Sequence, residues 1–401
     1  MANVSSSNGL EKRPRLRFPS FDEPYKQCRI GDIYAERSQR GASDMELLSV
    51  TMNDGVKPRS EIEGKDNSSE DKSNYKIVRK GDMVYNSMRM WQGANGISPC
   101  DGIVSPAYTV LMPKQEINNG YFAALFKSVT LINEFRKNSQ GMTSDTWNLK
   151  YPQIETIKVQ IPSVSEQDKV SELFSVLDER IATQAQLVES LKKYKRGVVR
   201  TLLSPKHCKL KNVEWTTAKI GDIGTFIKGA PLSKADISSD GTPFILYGEL
   251  YTTYNEVISK VVRKTQASVD KQYYSRIGDV IIPTSGETPE EISTASCVML
   301  PDIILAGDLN IYRCTQVDGR IMSYILNHVV NDRIARVAQG KSIVHVQATE
   351  ISKIEITYPD LISQKKLIET FDAITARIEQ SMRELELMQV HRKALLQQLF
   401  I

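Results

Sequence analysis

The chain has 401 residues, 40% of them hydrophobic and 25% charged, and its 52 basic and 48 acidic residues leave a net charge of only +4. At roughly 100–200 residues per domain this length predicts two domains, and the composition excludes a disordered chain, a collagen and a disulfide scaffold. No apolar run reaches the ~18–20 residues of a membrane helix, and residues 1–20 lack the apolar core of a secretory signal.

The cysteines and histidines point to no redox or metal chemistry. The five cysteines include no CxxC pair, so we expect free thiols in a cytoplasmic protein. Four scattered histidines, with His207-Cys208 the only adjacent pair, are too few for a zinc site, and we expect no bound metal. The low net charge argues against a wholly electrostatic nucleic-acid binder. One local exception runs from Leu191 to Val213, with eight basic residues and no acidic one.

Residues 1–163 predict a mixed α+β domain. We expect the first nine residues to be disordered, and the polar composition of residues 53–75 predicts a mobile loop. Short β-rich runs at 76–78 and 108–111 predict strands between Gly-Asp turns and polar loops. A helical pattern follows near 120–137.

Residues 164–205 predict one long amphipathic helix, with Ser163 or Ser165 as its cap and Ser204-Pro205 as its end. Apolar residues recur at spacings of three and four. A helix of about 40 residues spans roughly 60 Å and needs a partner for its apolar stripe. The stripe positions that we expect to pair are Phe174, Leu177, Ile181, Val188 and Leu191.

The second half repeats this order. Residues 206–360 predict a second α+β domain, with a strand at 280–282 and a helical pattern near 319–338, and residues 361–401 predict a second long helix. Its stripe positions are Phe371, Ile374, Ile378, Leu385 and Met388.

A shift of 197 positions aligns the two halves, which indicates a duplicated domain. The aligned positions include Ile154 with Ile351, Gln167 with Gln364, Phe174 with Phe371, and Gly81-Asp82 with Gly278-Asp279; allowing small indels, Ile30-Gly31-Asp32-Ile33 matches Ile220-Gly221-Asp222-Ile223 and Gln140-Gly141 matches Gln339-Gly340. We therefore predict two tandem α+β domains whose long helices pair as an antiparallel coiled coil. The alternative is that each helix packs into the core of its own domain, although helices longer than ~25 residues are unusual there.

This duplicated order resembles the specificity subunit of type I restriction–modification enzymes over nearly the whole chain. The segments that carry the resemblance are 15–21, 30–33, 84–94, 102–108, Trp215, 220–223, Ile161-Pro162 with Glu166-Gln167, and Gln364-Lys365. The second helix departs at Ser363, where the first has Glu166, a difference to which we give little weight.

The resemblance implies two target recognition domains, each reading one half of a split double-stranded DNA sequence. The paired helices then act as a ruler, and ~60 Å corresponds to roughly 17 base pairs. Two modification subunits that bring S-adenosylmethionine, and restriction subunits that bring ATP and Mg, are the implied partners. No cofactor or membrane contact is implied for this chain.

Motifs for catalysis are missing from the sequence. It has no Pro-Pro, and hence no Asn/Asp-Pro-Pro-aromatic stretch of a DNA adenine methyltransferase, and no GxxxxGK[ST] phosphate loop. Asp54, Glu63 and Lys65 lie in a polar loop rather than on strands that could hold a nuclease metal. We expect a non-catalytic subunit.

Candidate base readers are side chains with defined donors and acceptors on loops and strand ends. In the first domain they are Arg37, Gln39, Arg40, Asn86, Ser87, Met88, Arg89, Trp91 and the turn Asn138-Ser139-Gln140-Gly141-Met142-Thr143. In the second domain they are Lys228, Tyr247, Glu249, Thr284, Ser285, Glu287, Gln339, Lys341 and Ser342, with Glu249 or Glu287 as acceptors for cytosine.

The two sets differ where the halves align. Asn86-Ser87-Met88-Arg89 and Pro283-Thr284-Ser285-Gly286 follow equivalent Gly-Asp strands but share no residue. Two recognition domains with different side chains at equivalent positions would bind different half-sites, and this predicts an asymmetric DNA target. Two alternatives remain at this point: a coiled-coil adaptor without DNA sequence specificity, and a fused restriction–methylation enzyme.

Overall fold

The computed structural model describes residues 13–401 except 42–43, 53, 339 and 341–343. The chain forms two compact units. The first contains the residues up to Ala185 together with Arg383–Ile401, and the second contains Gln186–Met382. The unit boundary therefore falls inside both long helices. Each unit combines one globular domain with parts of two helices.

The first unit is built from short strands and helices. Its strands are β1 (Lys26–Arg29), β2 (Tyr34–Glu36), β3 (Leu48–Thr51), β4 (Gly55–Pro58), β5 (Lys76–Val78), β6 (Met83–Asn86), β7 (Asn95–Ile97), β8 (Gly102–Val104), β9 (Tyr108–Pro113) and β10 (Lys158–Ile161). Its helices are α1 (Ile30–Ile33), α2 (Asn119–Leu125), α3 (Val129–Asn138), α4 (Tyr151–Ile154) and the start of α5 (Val164–Leu202). The antiparallel sheet β2-β9-β6-β7 is accompanied by the pairs β3-β4, β5-β8 and β1-β10.

The second unit repeats this plan with more strands. They are β11 (Trp215–Lys219), β12 (Gly224–Lys228), β13 (Thr242–Leu246), β14 (Val257–Ile258), β15 (Arg263–Thr265), β16 (Asp279–Pro283), β17 (Ser285–Gly286), β18 (Ser296–Val298), β19 (Ile304–Ala306), β20 (Leu309–Cys314), β21 (Val344–His345) and β22 (Glu355–Pro359). The helices are α6 (Ile220–Ile223), α7 (Glu249–Thr252), α8 (Pro289–Ile292), α9 (Gly319–His328), α10 (Asn331–Val337), α11 (Ala348–Ser352) and α12 (Leu361–Gln398). Its sheets have the strand orders β12-β20-β16-β18-β14 and β15-β13-β19, beside the pairs β11-β22 and β17-β21.

The repeated Ile-Gly-Asp-Ile segment forms the one-turn helices α1 and α6, whose isoleucines are buried in the core of their unit. A Cβ on Gly31 would lie 2.9 Å from Cβ of Glu155, and one on Gly221 would lie 2.8 Å from Cβ of Ser352. Glycine is required because the backbone passes this close to the turn before the last strand of each domain.

The repeated Gly-Asp pair also has a structural reason. Gly81 adopts a φ of 89° and Gly278 a φ of 93°, values that favour glycine. The next residue, Asp82 or Asp279, accepts a backbone N–H from three residues earlier and binds an arginine through two nitrogens. The motif is a buried ion-pair turn.

A glutamine at the start of each long helix ties that helix to its own domain. Gln167 accepts from N–H of Asn118 at 3.0 Å and donates to the Pro162 carbonyl at 3.0 Å. Gln364 makes the same two bonds, to Asp318 and Pro359, each at 2.8 Å. Both glutamines are buried, so the aligned Gln of the repeat is a structural anchor.

Within each unit the two long helices contribute to one core, and they run antiparallel. In the first unit Phe174 of α5 stacks on Phe400, two residues beyond α12, at 5.8 Å, and Arg392 of α12 pairs with Asp178 of α5. In the second unit the last turns of α5 share a core with the first turns of α12. The fold class predicted from the sequence is thereby confirmed.

All ten predicted stripe residues are fully or partly buried. Those that are buried are Phe174, Val188, Phe371 and Ile378; those that are partly buried are Leu177, Ile181, Leu191, Ile374, Leu385 and Met388. Leu187 and Leu387, off the main stripe, are exposed.

Two expectations are corrected. Residues 53–75 are not one loop, because Gly55–Pro58 pairs with β3 and the Arg59 side chain then donates to three carbonyls of the following turn. The exchange of Glu166 for Ser363 does have a consequence. Glu166 is buried and binds the Arg17 guanidinium at 2.8 and 2.9 Å, which fastens the N-terminal segment to α5. The expected disorder of the first nine residues lies outside the described residues.

Candidate DNA interface

In the first unit the candidate readers lie where β6 ends. Asn86 is the last residue of β6 and pairs with Tyr108 at the start of β9. Its side-chain oxygen accepts from N–H of Met88 at 3.0 Å, which shapes the following turn and leaves the amide nitrogen free to donate. Arg89, at the end of this turn, is exposed. Asn86 and Arg89 therefore offer hydrogen-bonding groups at one strand end.

Two predicted readers of this unit face inward instead. Ser87 is buried, and its hydroxyl bonds to the Thr109 hydroxyl at 2.9 Å. Arg37 forms the ion pair with Asp82 described above, with its Nε 2.7 Å from the carboxylate, and this hydrogen bond raises the pKa of Arg37. Ser87 is held beside the end of β6 and Arg37 beside its start, so neither side chain is free to contact a ligand. Arg40 and Gln39, close by in the chain, are exposed.

Trp91 belongs to an aromatic cluster that the sequence did not indicate. Its ring meets Trp147 edge to face at 5.2 Å, and the Arg136 guanidinium lies 5.6 Å from the Trp91 ring centre. Its Nε1 donates to the Met88 carbonyl at 3.0 Å. The cluster holds the turn after β6 against α3. Trp147 follows the predicted turn by only a few residues, and this closeness in the sequence could have indicated that the two tryptophans belong to one site.

The predicted turn at 138–143 forms the start of a short loop that is closed by backbone hydrogen bonds between Gln140 and Asn148 at 2.8 and 3.0 Å. Gly141 adopts a φ of 143°, and a Cβ there would lie 2.6 Å from the Thr146 carbonyl. Gln140 and Thr143 are exposed, and Met142 is fully exposed. The loop presents these side chains on a fixed backbone.

In the second unit the strand register brings Lys228 and Thr284 to one end of the main sheet. Lys228 lies opposite Asn310 of β20, which also lies opposite Ile282 of β16. Lys228 is exposed, and Thr284 is partly buried and fixed by its N–H to the Asp308 carbonyl at 2.8 Å.

Two predicted base readers of this unit, Ser285 and Glu249, are engaged internally. Ser285 is buried and donates to Asp308 at 2.9 Å. Glu249 is only 8% exposed, accepts N–H of Leu246 at 3.2 Å and binds Arg263 at 3.0 Å. Of the two proposed cytosine acceptors, Glu287 is the exposed one.

Tyr247 is partly buried beside Gly307, the residue before Asp308. His345 is exposed on β21, opposite Ser285, and was not singled out from the sequence. Gln339, Lys341 and Ser342 lie outside the described residues.

The residues that the structure describes contain no group of three His, Cys, Asp or Glu side chains placed to hold a metal ion. None of their helices combines the length and apolar character that a membrane span requires.

Comparison with known proteins identifies the class. The family described as "Type I restriction modification DNA specificity domain" matches residues 23–193 and 212–388, once in each half. The chain is 21% identical over 347 residues to the type I restriction enzyme MjaVIII specificity subunit of Methanocaldococcus jannaschii, covering 80% of this chain and 78% of that protein.

Two solved structures share the fold. One is a chain from a study of complex assembly and conformational transition in a type I R-M system, with a TM-score of 0.61, 13% identity, and 93% and 96% of the two chains covered. The other is the type I restriction–modification S subunit of M. genitalium, with a TM-score of 0.56, 15% identity, and 97% and 99% covered.

The chain belongs to the type I restriction–modification DNA specificity family and contains two copies of its domain. It is a specificity subunit of such a system, as its sequence resemblance indicated.

Proposed function

We propose that the two units read the two unlike halves of a split, asymmetric DNA target. The main support is that equivalent strand ends carry different side chains. The first offers Asn86 and Arg89, which suit adenine and guanine edges, and the second offers Lys228 and Thr284. A buried aspartate paired with an arginine holds the start of the equivalent strand in both units, so the supporting structure is repeated while the exposed residues at the strand ends differ.

We propose further that the paired helices set the separation of the half-sites and receive two modification subunits and the restriction subunits. Exposed apolar side chains on both helices support a docking role, since such residues mark protein contacts when they recur along one element. They are Val176, Leu187, Met382, Leu387 and Val390. S-adenosylmethionine, ATP and Mg would then bind to those partner subunits in the cytoplasm. This chain would supply recognition without catalysis.

Genome-wide methylation mapping of a host that carries this gene tests the proposal. We expect two different short half-sites separated by a fixed unread spacer, and a palindromic target would contradict it. Binding of the assembled complex to the mapped duplex is the second measurement. If scrambling either half leaves the affinity unchanged, the chain is an adaptor without sequence specificity.

A further inference from the structure

The last turns of α5 and the linker after it form the longest stretch of the sequence without an acidic residue. Between Ser190 and Val213 there is no acidic residue. Lys193, Arg196, Lys206, Lys209 and Lys211 are all exposed. None of these five forms an ion pair with any residue that the structure describes.

Helix geometry separates this surface from the packed face of α5. Val188, Lys195, Val199 and Leu203 are buried, and they recur at the spacings of one helix face. Lys193 and Arg196, three residues apart, lie off this buried face and are exposed. We call Lys193, Arg196, Lys206, Lys209 and Lys211 the basic strip.

Nearby carboxylates do not neutralise the basic strip. Glu189 pairs with Lys192 at 2.9 Å. Glu256 is held by Lys195 at 2.8 Å and by His328 at 2.7 Å. The cations of the strip therefore remain available for an anion from outside the chain.

The sign and spacing of these charges indicate which anion. The strip consists of exposed cations with no acidic residue between them. Duplex DNA presents closely spaced phosphates along its length, so its charge complements that of the strip.

We infer that the basic strip binds the phosphate backbone of duplex DNA without regard to sequence. This inference rests on the proposed DNA-reading function and adds a second contact to it. Each phosphate contact that is lost should lower the dependence of log affinity on log salt by about 0.9.

The test compares two triple variants of the full chain in its complex. K193Q/R196Q/K206Q removes three charges from the strip. K365Q/K366Q/K393Q removes three exposed charges from α12, so the net charge of the two variants is the same. Affinity for the mapped duplex and for a scrambled duplex is measured from low to moderate salt.

We expect the strip variant to lose up to about 2.7 from the salt slope on both duplexes, with its preference between them unchanged, while the control keeps the wild-type slope. Equal salt slopes for wild type and the strip variant would overturn the inference. A strip variant whose only defect is in assembly with its protein partners would also overturn it, because the strip would then bind a protein. If wild type itself shows no preference for the mapped duplex, the proposed DNA reading has failed, and that result is separate from the slope.

Discussion

At the scale of one residue, the proposed reading of the first half-site depends on Arg89. It is exposed at the end of a turn whose shape is fixed by Asn86 and by the Trp91 ring, so its guanidinium can reach a base edge from a fixed backbone. Ser87, two residues earlier, has equally suitable chemistry, but its hydroxyl is hydrogen-bonded to the Thr109 hydroxyl inside the domain. The two residues differ in where their side chains point, outward for Arg89 and inward for Ser87, and this matters more than residue type.

Replacing Arg89 with Ala should weaken binding to the first half-site by about 1–3 kcal/mol, because a bidentate contact to a base is lost. Stability should stay within about 0.5 kcal/mol of wild type, since the side chain is exposed. The measurement is affinity for duplexes altered in one half at a time. Lys26→Ala, an exposed cation on β1, is the control and should leave both halves unaffected. Equal losses at the two halves would refute this role.

At the scale of the element, α5 is fastened to the second unit by buried charge. The carboxylate of Glu256 lies between Lys195 of α5 and His328 of α9, and the Tyr324 ring lies 5.2 Å from the Lys195 ammonium. Burial alone would raise the pKa of Glu256, but the hydrogen bond from His328 and the charge of Lys195 lower it to about 2. These three side chains fix the position of the C-terminal part of α5, because charged hydrogen bonds are directional and apolar packing is not.

Lys195→Met should destabilise the second unit by about 3 kcal/mol, because it leaves Glu256 buried without its cation. The double variant K195M/E256Q should recover much of this loss, since neither charge then remains. Thermal unfolding of the full chain reports both, with Lys193→Met as the exposed control. A single variant as stable as wild type would mean that the pair contributes nothing.

The same group gives a pH dependence. A carboxyl whose folded pKa is depressed contributes stability above its unfolded value of about 4.3 and loses it as pH falls toward the folded value. Between pH 4.5 and about 2 wild type should therefore lose more stability than E256Q. Parallel curves would contradict the assignment.

The seam between the helices can be tested at Ile181, which is partly buried in the first unit. Ile181→Asp should cost about 2 kcal/mol, because it places an unpaired carboxylate in an apolar contact. We expect a lower unfolding temperature and altered assembly on a sizing column. The neighbouring Ala182→Asp, which is exposed, should leave both unchanged. Identical behaviour of the two variants would mean that the helices do not meet there.

For the whole molecule, sequence periodicity was enough to predict the two domains and both long helices. A stripe at helical spacing is a local property, and a 197-residue repeat is visible without structure. The direction of polar side chains was not predictable. Glu249 and Ser285 are held by Arg263 and Asp308, which are 14 and 23 residues away, and nothing in the local pattern distinguishes them from the exposed Glu287.

The division of the chain into units escaped prediction for a related reason. Phe174 stacks on Phe400, a contact between segments more than two hundred residues apart. The sequence pattern shows that each helix needs a partner but carries no information on which turns of the other helix meet it.

That long-range contact has a consequence for synthesis. The core of the first unit includes Leu396, Leu399 and Phe400, which are synthesised only after the whole second unit. At about 5–20 residues per second, the 197 residues between Ala185 and Arg383 take roughly 10–40 s to make. During that interval Phe174 lacks the Phe400 ring on which it stacks in the finished fold, so part of the apolar core of the first unit stays uncovered. The core of the first unit is therefore completed only when residues 383–401 emerge, after the second unit has been made.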